Sequence, residues 1–245
     1  MRSLFLTISL LLGLVSCHTA REGNTTVGGN IGRASGQMLK LEDLSPVNSL
    51  TFDSVIIGEP GNFDFRFNAK EPGLYLLGFS GKNRLLLELR PGDTVRVKAA
   101  DGSNLEDAVI TGSPASSDMK KFFGLTAGNR RIYDSLQGSL LSHQDDPGFA
   151  ELSRNLDESL KPIWENQRAL ETSYVDSHLN SLTSLLVLNQ GIGTSPVLTF
   201  QNDSVYFMKI DSSLSKSFPG NKHVVFHHNR VLRERELEAM KKQTR

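Results

Sequence analysis

A period of two runs through three stretches of this chain, and in two of them apolar and polar residues alternate strictly. Phe63, Phe65 and Phe67 are separated by Asp64 and Arg66, and Val95, Val97 and Ala99 by Arg96 and Lys98. Leu85, Leu87 and Leu89 face one way, with Leu86 and Glu88 between them. A period of two puts each apolar set on one face of a strand. Glu59-Pro60-Gly61-Asn62, Glu71-Pro72-Gly73, Pro91-Gly92-Asp93 and Asp101-Gly102-Ser103 lie between such runs. Proline fixes φ and glycine accepts φ > 0, so each can reverse the chain. Short strands punctuated in this way predict an antiparallel β-sandwich or partly open barrel over residues 27–113.

Past Ser113-Pro114 the period lengthens. Met119, Phe122, Phe123 and Thr126 follow helical spacing, and Tyr133, Leu136 and Leu140 continue it. A longer stripe runs through Phe149, Leu152, Leu156, Leu160, Ile163, Gln167, Leu170 and Tyr174. Asp146 and Pro147 suit its first turn, and Pro162 is expected to kink or divide it. Two further helices are expected, at 203–217 and from 221 to about 240. Residues 114–245 are therefore read as a helical region, and the fold class as α+β, strands first.

The N-terminus carries an address. Arg2 precedes an apolar stretch from Leu4 to Val15. A bilayer span needs about 20 apolar residues, so this stretch has instead the length of a signal-peptide core. Leu14-Val15-Ser16-Cys17 resembles the bacterial lipobox, which implies cleavage before Cys17 and acylation of its thiol. Residues 1–16 are then a lipoprotein signal peptide and 17–26 a polar tether. Several acyl chains hold a membrane far more tightly than one. The tether lacks an acidic run, which by resemblance to lipoprotein sorting signals points to the periplasmic face of the outer membrane.

Composition narrows the chemistry. Cys17 is the sole cysteine among 245 residues, which removes an internal disulfide, a CxxC pair and a cysteine zinc site. Twenty-seven Lys and Arg balance 27 Asp and Glu, leaving no cationic surplus to displace counterions from nucleic acid.

Several segments in order carry a family resemblance: Gly32-Arg33-Ala34-Ser35-Gly36-Gln37-Met38-Leu39-Lys40-Leu41, Asp53-Ser54-Val55, Gly61-Asn62-Phe63-Asp64-Phe65, Pro72-Gly73-Leu74-Tyr75-Leu76-Leu77, Pro91-Gly92-Asp93-Thr94-Val95 and Ile110-Thr111-Gly112-Ser113. Residues 27–115 so resemble the lipoprotein domain of unknown function 4369. Ser181-Leu182-Thr183-Ser184-Leu185 and Val205-Tyr206-Phe207-Met208-Lys209-Ile210-Asp211 resemble its usual helical connector. In Gram-negative gut anaerobes this domain typically precedes a thioredoxin-like domain in thiol–disulfide interchange proteins. That domain would carry a Trp-Cys-x-x-Cys pair, and none is present here. No catalytic position carries over, so no enzymatic activity and no cofactor are expected.

Other motifs have ordinary readings. His223 and His227 share a helix face, but Val224 stands where a zincin needs glutamate, which favours core or surface histidines over a metal site. Gly28-Gly29-Asn30-Ile31-Gly32 lacks the ending of a phosphate loop and reads as a flexible entry into the first strand. No G-x-S-x-G elbow announces a hydrolase. Arg230, Arg233, Arg235, Lys241, Lys242 and Arg245 against Glu234, Glu236 and Glu238 read as a solvated helix face. Asp53-Ser54, Asp93-Thr94, Asp134-Ser135 and Asp203-Ser204, each before an aliphatic residue, resemble acceptors for O-glycosylation at Ser54, Thr94, Ser135 and Ser204. Asp134 and Asp203 also suit helix caps. The expectation is a lipid-anchored envelope protein serving as a non-catalytic binding or positioning module. The alternative is a docking subunit for a separate thioredoxin-like oxidoreductase. Its partners are then the membrane and an envelope protein, not nucleic acid.

Overall fold

A computed structural model describes residues 23–79, 81 and 83–243. The alternating run at 62–67 forms a strand with Phe63, Phe65 and Phe67 buried and Asn62, Asp64 and Arg66 exposed. Eight strands make two open four-stranded sheets. They are β1 (Thr25–Ile31), β2 (Met38–Leu44), β3 (Ser49–Ile56), β4 (Asn62–Phe67), β5 (Gly73–Gly78), β6 (Arg84–Leu89), β7 (Thr94–Ala99) and β8 (Val109–Thr111). The first sheet has the order β4-β1-β7-β8 and the second β3-β2-β5-β6. All pairs but one are antiparallel; β1 lies parallel to β7, with Val27 beside Val95. Their facing sides share one core, in which Val27, Phe65, Val95 and Val97 meet Leu39, Leu41, Leu77 and Leu87. Strand β1 starts at Thr25, which is buried, so Thr25 and Thr26 belong to the sheet and not to a tether.

The sandwich is open between β6 and β8, and a helix closes that side. Helix α1 (Pro114–Ser142) is capped by Ser113, whose hydroxyl accepts from the Ser116 amide. Ser116 Oγ accepts the Glu88 amide of β6 at 2.9 Å, and Ser113 Oγ donates to the Glu88 carbonyl at 2.8 Å. Ser117 Oγ donates to the Ile110 carbonyl of β8 at 2.9 Å. The first turn of the helix thereby satisfies backbone groups on both sheet edges.

Helix α2 (Phe149–Ser177) returns along α1, followed by α3 (Thr183–Val187), a two-residue pairing of β9 (Gly191–Ile192) with β10 (Ser195–Pro196), and the antiparallel helices α4 (Phe200–Ser217) and α5 (Lys222–Gln243). A second core joins Leu74 of β5 to Met119, Phe122, Tyr174, Phe207 and Val224 of the helices. The helices thus cover the outer face of the second sheet. Glu88 points into that covered face and is buried.

Four local expectations are corrected. Helix α2 runs through Pro162 undivided; Pro162 and Glu158, whose carbonyl loses its partner there, lie on the exposed side, where water can replace the bond. Its N-cap is Gly148, while Asp146 sits in the preceding turn and accepts from the Phe149 amide. Asp134 lies inside α1, because the stripe through Tyr133, Leu136 and Leu140 continues to pack against Leu156, Leu160 and Ile163. The cap of α4 is Thr199; Asp203 has non-helical backbone angles four residues on and accepts the Thr199 amide at 2.9 Å.

Candidate functional site

The outer face of the first sheet carries an open groove whose floor is β1. Gly28 pairs with Asp64 on one side and Arg96 on the other. A Cβ at Gly28 would come within 2.6 Å of the Arg96 guanidinium and 2.8 Å of the Asp64 carboxylate. Without it, those side chains reach across the strand to 3.8 Å, and Arg66 Nε joins Asp64 at 2.6 Å. Asn30 donates to Asn62 Oδ1 at 3.0 Å and to the Pro60 carbonyl at 3.1 Å at the end of the groove. Lys98 and Thr111 line its remaining side. Two cations, Arg96 and Lys98, line the groove with the carboxylate of Asp64, the amides of Asn30 and Asn62 and the exposed side chain of Val109. Such a surface offers charged and amide donors to an anionic or polar ligand. The glycine pair read from sequence as a flexible entry is instead the middle of a strand paired on both sides.

The other candidates are scattered. Cys17 and the signal peptide lie outside the described residues. Ser54 is exposed on β3, Thr94 on β7 and Ser135 on α1, while Ser204 is half-buried on α4. His223 and His227 are both buried on the inner face of α5. Burial lowers the His223 pKa to about 4, assisted by the neighbouring Lys222 and opposed by Asp43. His227 Nε2–H donates to the Phe207 carbonyl at 3.1 Å, and burial lowers its pKa as well. Among the described residues, no group of three His, Cys, Asp or Glu could hold a metal ion.

Two buried carboxyl groups escaped the sequence reading. Glu88 is held from both sides: Arg90 Nε and Nη2 donate to Oε1 at 3.1 and 2.8 Å, and Ser181 Oγ and the Thr183 amide donate to Oε2. Glu171 of α2 is fully buried; its Oε1 accepts from Gln167 Nε2 at 2.9 Å, and its Oε2 has no hydrogen-bond partner among the described residues. Asp203, paired with Arg168, is close enough to act on it. Burial pushes the Glu171 pKa from 4.5 up to about 8, outweighing the Gln167 hydrogen bond and Arg168, while Asp203 adds to the rise.

Because that folded-state pKa is raised, the folded protein keeps a proton that the unfolded chain releases above pH 4.5. Stability therefore falls as pH climbs from there to about 8. Glu171→Gln preserves shape and abolishes the titration. It should stabilise the protein by roughly 2–3 kcal/mol near neutral pH and by almost nothing in the acid range. Denaturant unfolding of both proteins across pH checks this; a pH-independent difference would contradict it.

The strands and helices define an α+β protein built on two open sheets, with the groove on the side away from the helices. Residues 25–119 match the family model described as a domain of unknown function, DUF4369. The matched stretch is the whole sandwich plus the serine-bearing first turn of α1, in agreement with the resemblance seen in the strand and turn motifs. No curated protein and no solved structure matches the chain.

Proposed function

We propose that this is a lipid-anchored cell-envelope protein, held at the outer membrane facing the periplasm and acting as a non-catalytic binding module. The observation that carries the reading is Leu14-Val15-Ser16-Cys17 behind a short apolar stretch, with cysteine nowhere else in the sequence. The groove beside Gly28 supports the binding role, since Arg96, Lys98, Asn30 and Asn62 gather cations and amides along its walls. Its ligand is then a polar or anionic group small enough to lie along a strand.

Cys17→Ala should leave the protein unprocessed or release it from the membrane fraction. Fractionation and intact-mass measurement check this. Wild type and variant equally sized and equally membrane-bound would overturn the anchor.

A second reading, a docking subunit for a separate thioredoxin-like oxidoreductase, is favoured by the exposed apolar side chains of Val225, Phe226, Leu232 and Leu237 on α5. Recovery of a CxxC protein with this chain from native membranes would distinguish it from a module that works alone.

A further inference from the structure

The position at which the chain enters the fold decides which end of the protein meets a membrane. Gly23 packs on Phe67, where a Cβ would lie 2.5 Å from the Phe67 backbone nitrogen. Asn24 is pinned beside it: its amide donates to Asn68 Oδ1 at 3.0 Å, its side chain donates to the Ala69 carbonyl at 3.0 Å, and its Oδ1 accepts from the Ala69 amide at 2.9 Å. Thr25 then pairs with Phe67 across the sheet. From Cys17 to Gly23 there are six Cα–Cα steps, which in any conformation span at most about 22 Å. An acyl chain on Cys17 would therefore hold this end of the sandwich against the bilayer.

That same end carries an exposed apolar patch, with the carboxylates of Asp43 and Glu71 near its Tyr75 and Lys222 paired to Asp43. The Phe67 ring touches Phe52 of β3 at 4.9 Å, and Phe52 meets Tyr75 at 5.9 Å. Two residues along, Leu50 is 62 % exposed, and Val47, in the β2–β3 turn closed by the Ser45 amide on the Asn48 carbonyl, is 83 % exposed. Exposed Lys70 follows Ala69. Phe52 caps the core at Phe67 and Tyr75 and stays partly exposed, while Val47 and Leu50 beyond it remain largely in solvent. A lipid surface held within reach by the anchor would take up those side chains at its headgroup boundary.

Resting on the lipid anchor at Cys17, we propose that the β2–β3 tip is a second membrane contact, inserting Val47 and Leu50 into the bilayer surface and fixing the orientation of the sandwich. The groove at Gly28 would then be held at a set attitude to the membrane instead of swinging on a tether.

The test uses the full-length acylated protein in vesicles of phosphatidylethanolamine and phosphatidylglycerol. An environment-sensitive fluorophore is placed through Val47→Cys or, as a control, Leu141→Cys. Leu141 is 65 % exposed and lies about 40 Å along α1 from Pro114. The expected result is a blue-shifted Val47→Cys probe quenched by spin-labelled lipid, with the Leu141→Cys probe quenched only by aqueous iodide. A Val47→Cys probe open to iodide on vesicle-bound protein overturns the contact and leaves the anchor standing. Shielding from iodide without quenching by lipid means that another protein surface, such as a second copy, covers the tip, and also overturns it. Labelling of the protein without an engineered cysteine would show Cys17 to be a free thiol, which removes the anchor reading and this inference with it.

Discussion

Replacing Phe65 by alanine should remove roughly 3–5 kcal/mol of folding stability. The side chain is fully buried at the centre of β4, opposite Val27, with the Phe63 ring edge-on at 6.0 Å. Residues from both sheets surround it, so the strands would have to move together to close the cavity, and paired strands resist that. The next residue is an internal control. Arg66 points outward and pairs with Asp64 in solvent, so Arg66→Ala should cost at most about 1 kcal/mol. Denaturant melts of the two variants measure the contrast directly. Equal losses would mean that the inward face of β4 has been misassigned.

Glu88→Ala should cost roughly 2–4 kcal/mol, for a different reason. Removing this carboxylate takes the charged acceptor from the Ser181 hydroxyl, the Thr183 amide and one fork of Arg90 in a buried seam, leaving Ser181 and Thr183 their weaker contacts with each other. Arg90 is half in water and can rehydrate, which keeps the loss below that of a wholly buried pair. The damage should be local first. Glu88 ties the second sheet to the turn before α3, so hydrogen exchange should quicken at 181–187 while the Phe65 core keeps its protection. A variant with unchanged exchange and a loss under about 0.5 kcal/mol would show that the seam is held by packing alone.

The sequence made some of this legible and hid the rest for physical reasons. β4 and β7 could be read directly because each has one face in the core and one in water, so their polarity alternates. β5 and β6 are covered on both sides, and in them the pattern thins to Gly-Leu-Tyr-Leu-Leu-Gly and Arg-Leu-Leu-Leu-Glu-Leu. Glu88 is the residue that misleads: on a strand with one solvated face it would be a surface charge, and it is buried by the start of α1 together with the Ser181–Thr183 turn more than ninety residues away. Strand β1 has little apolar signal and two glycines, and its place comes from pairing with β4 and, in parallel, with β7. No local period encodes that pairing, so the groove over Gly28 could not be anticipated. The aspartates at 134 and 203 suit caps in the sequence because a capping signal is short and local. The apolar stripe of α1 and the Thr199 hydroxyl decide where those helices run.

The serines at the foot of α1 have a consequence for how this domain can be inherited. Ser113, Ser116 and Ser117 occupy backbone groups of Glu88 and Ile110 on the sheet margins. A gene rearrangement that severed the strands from those residues would yield a sandwich with raw margins, ready to recruit strands from its neighbours in a crowded compartment. The smallest portable unit is accordingly larger than the sandwich and one helical turn: that turn closes the margins, but the later helices, or a substitute for them, must still cover Leu74 and Glu88 on the second sheet.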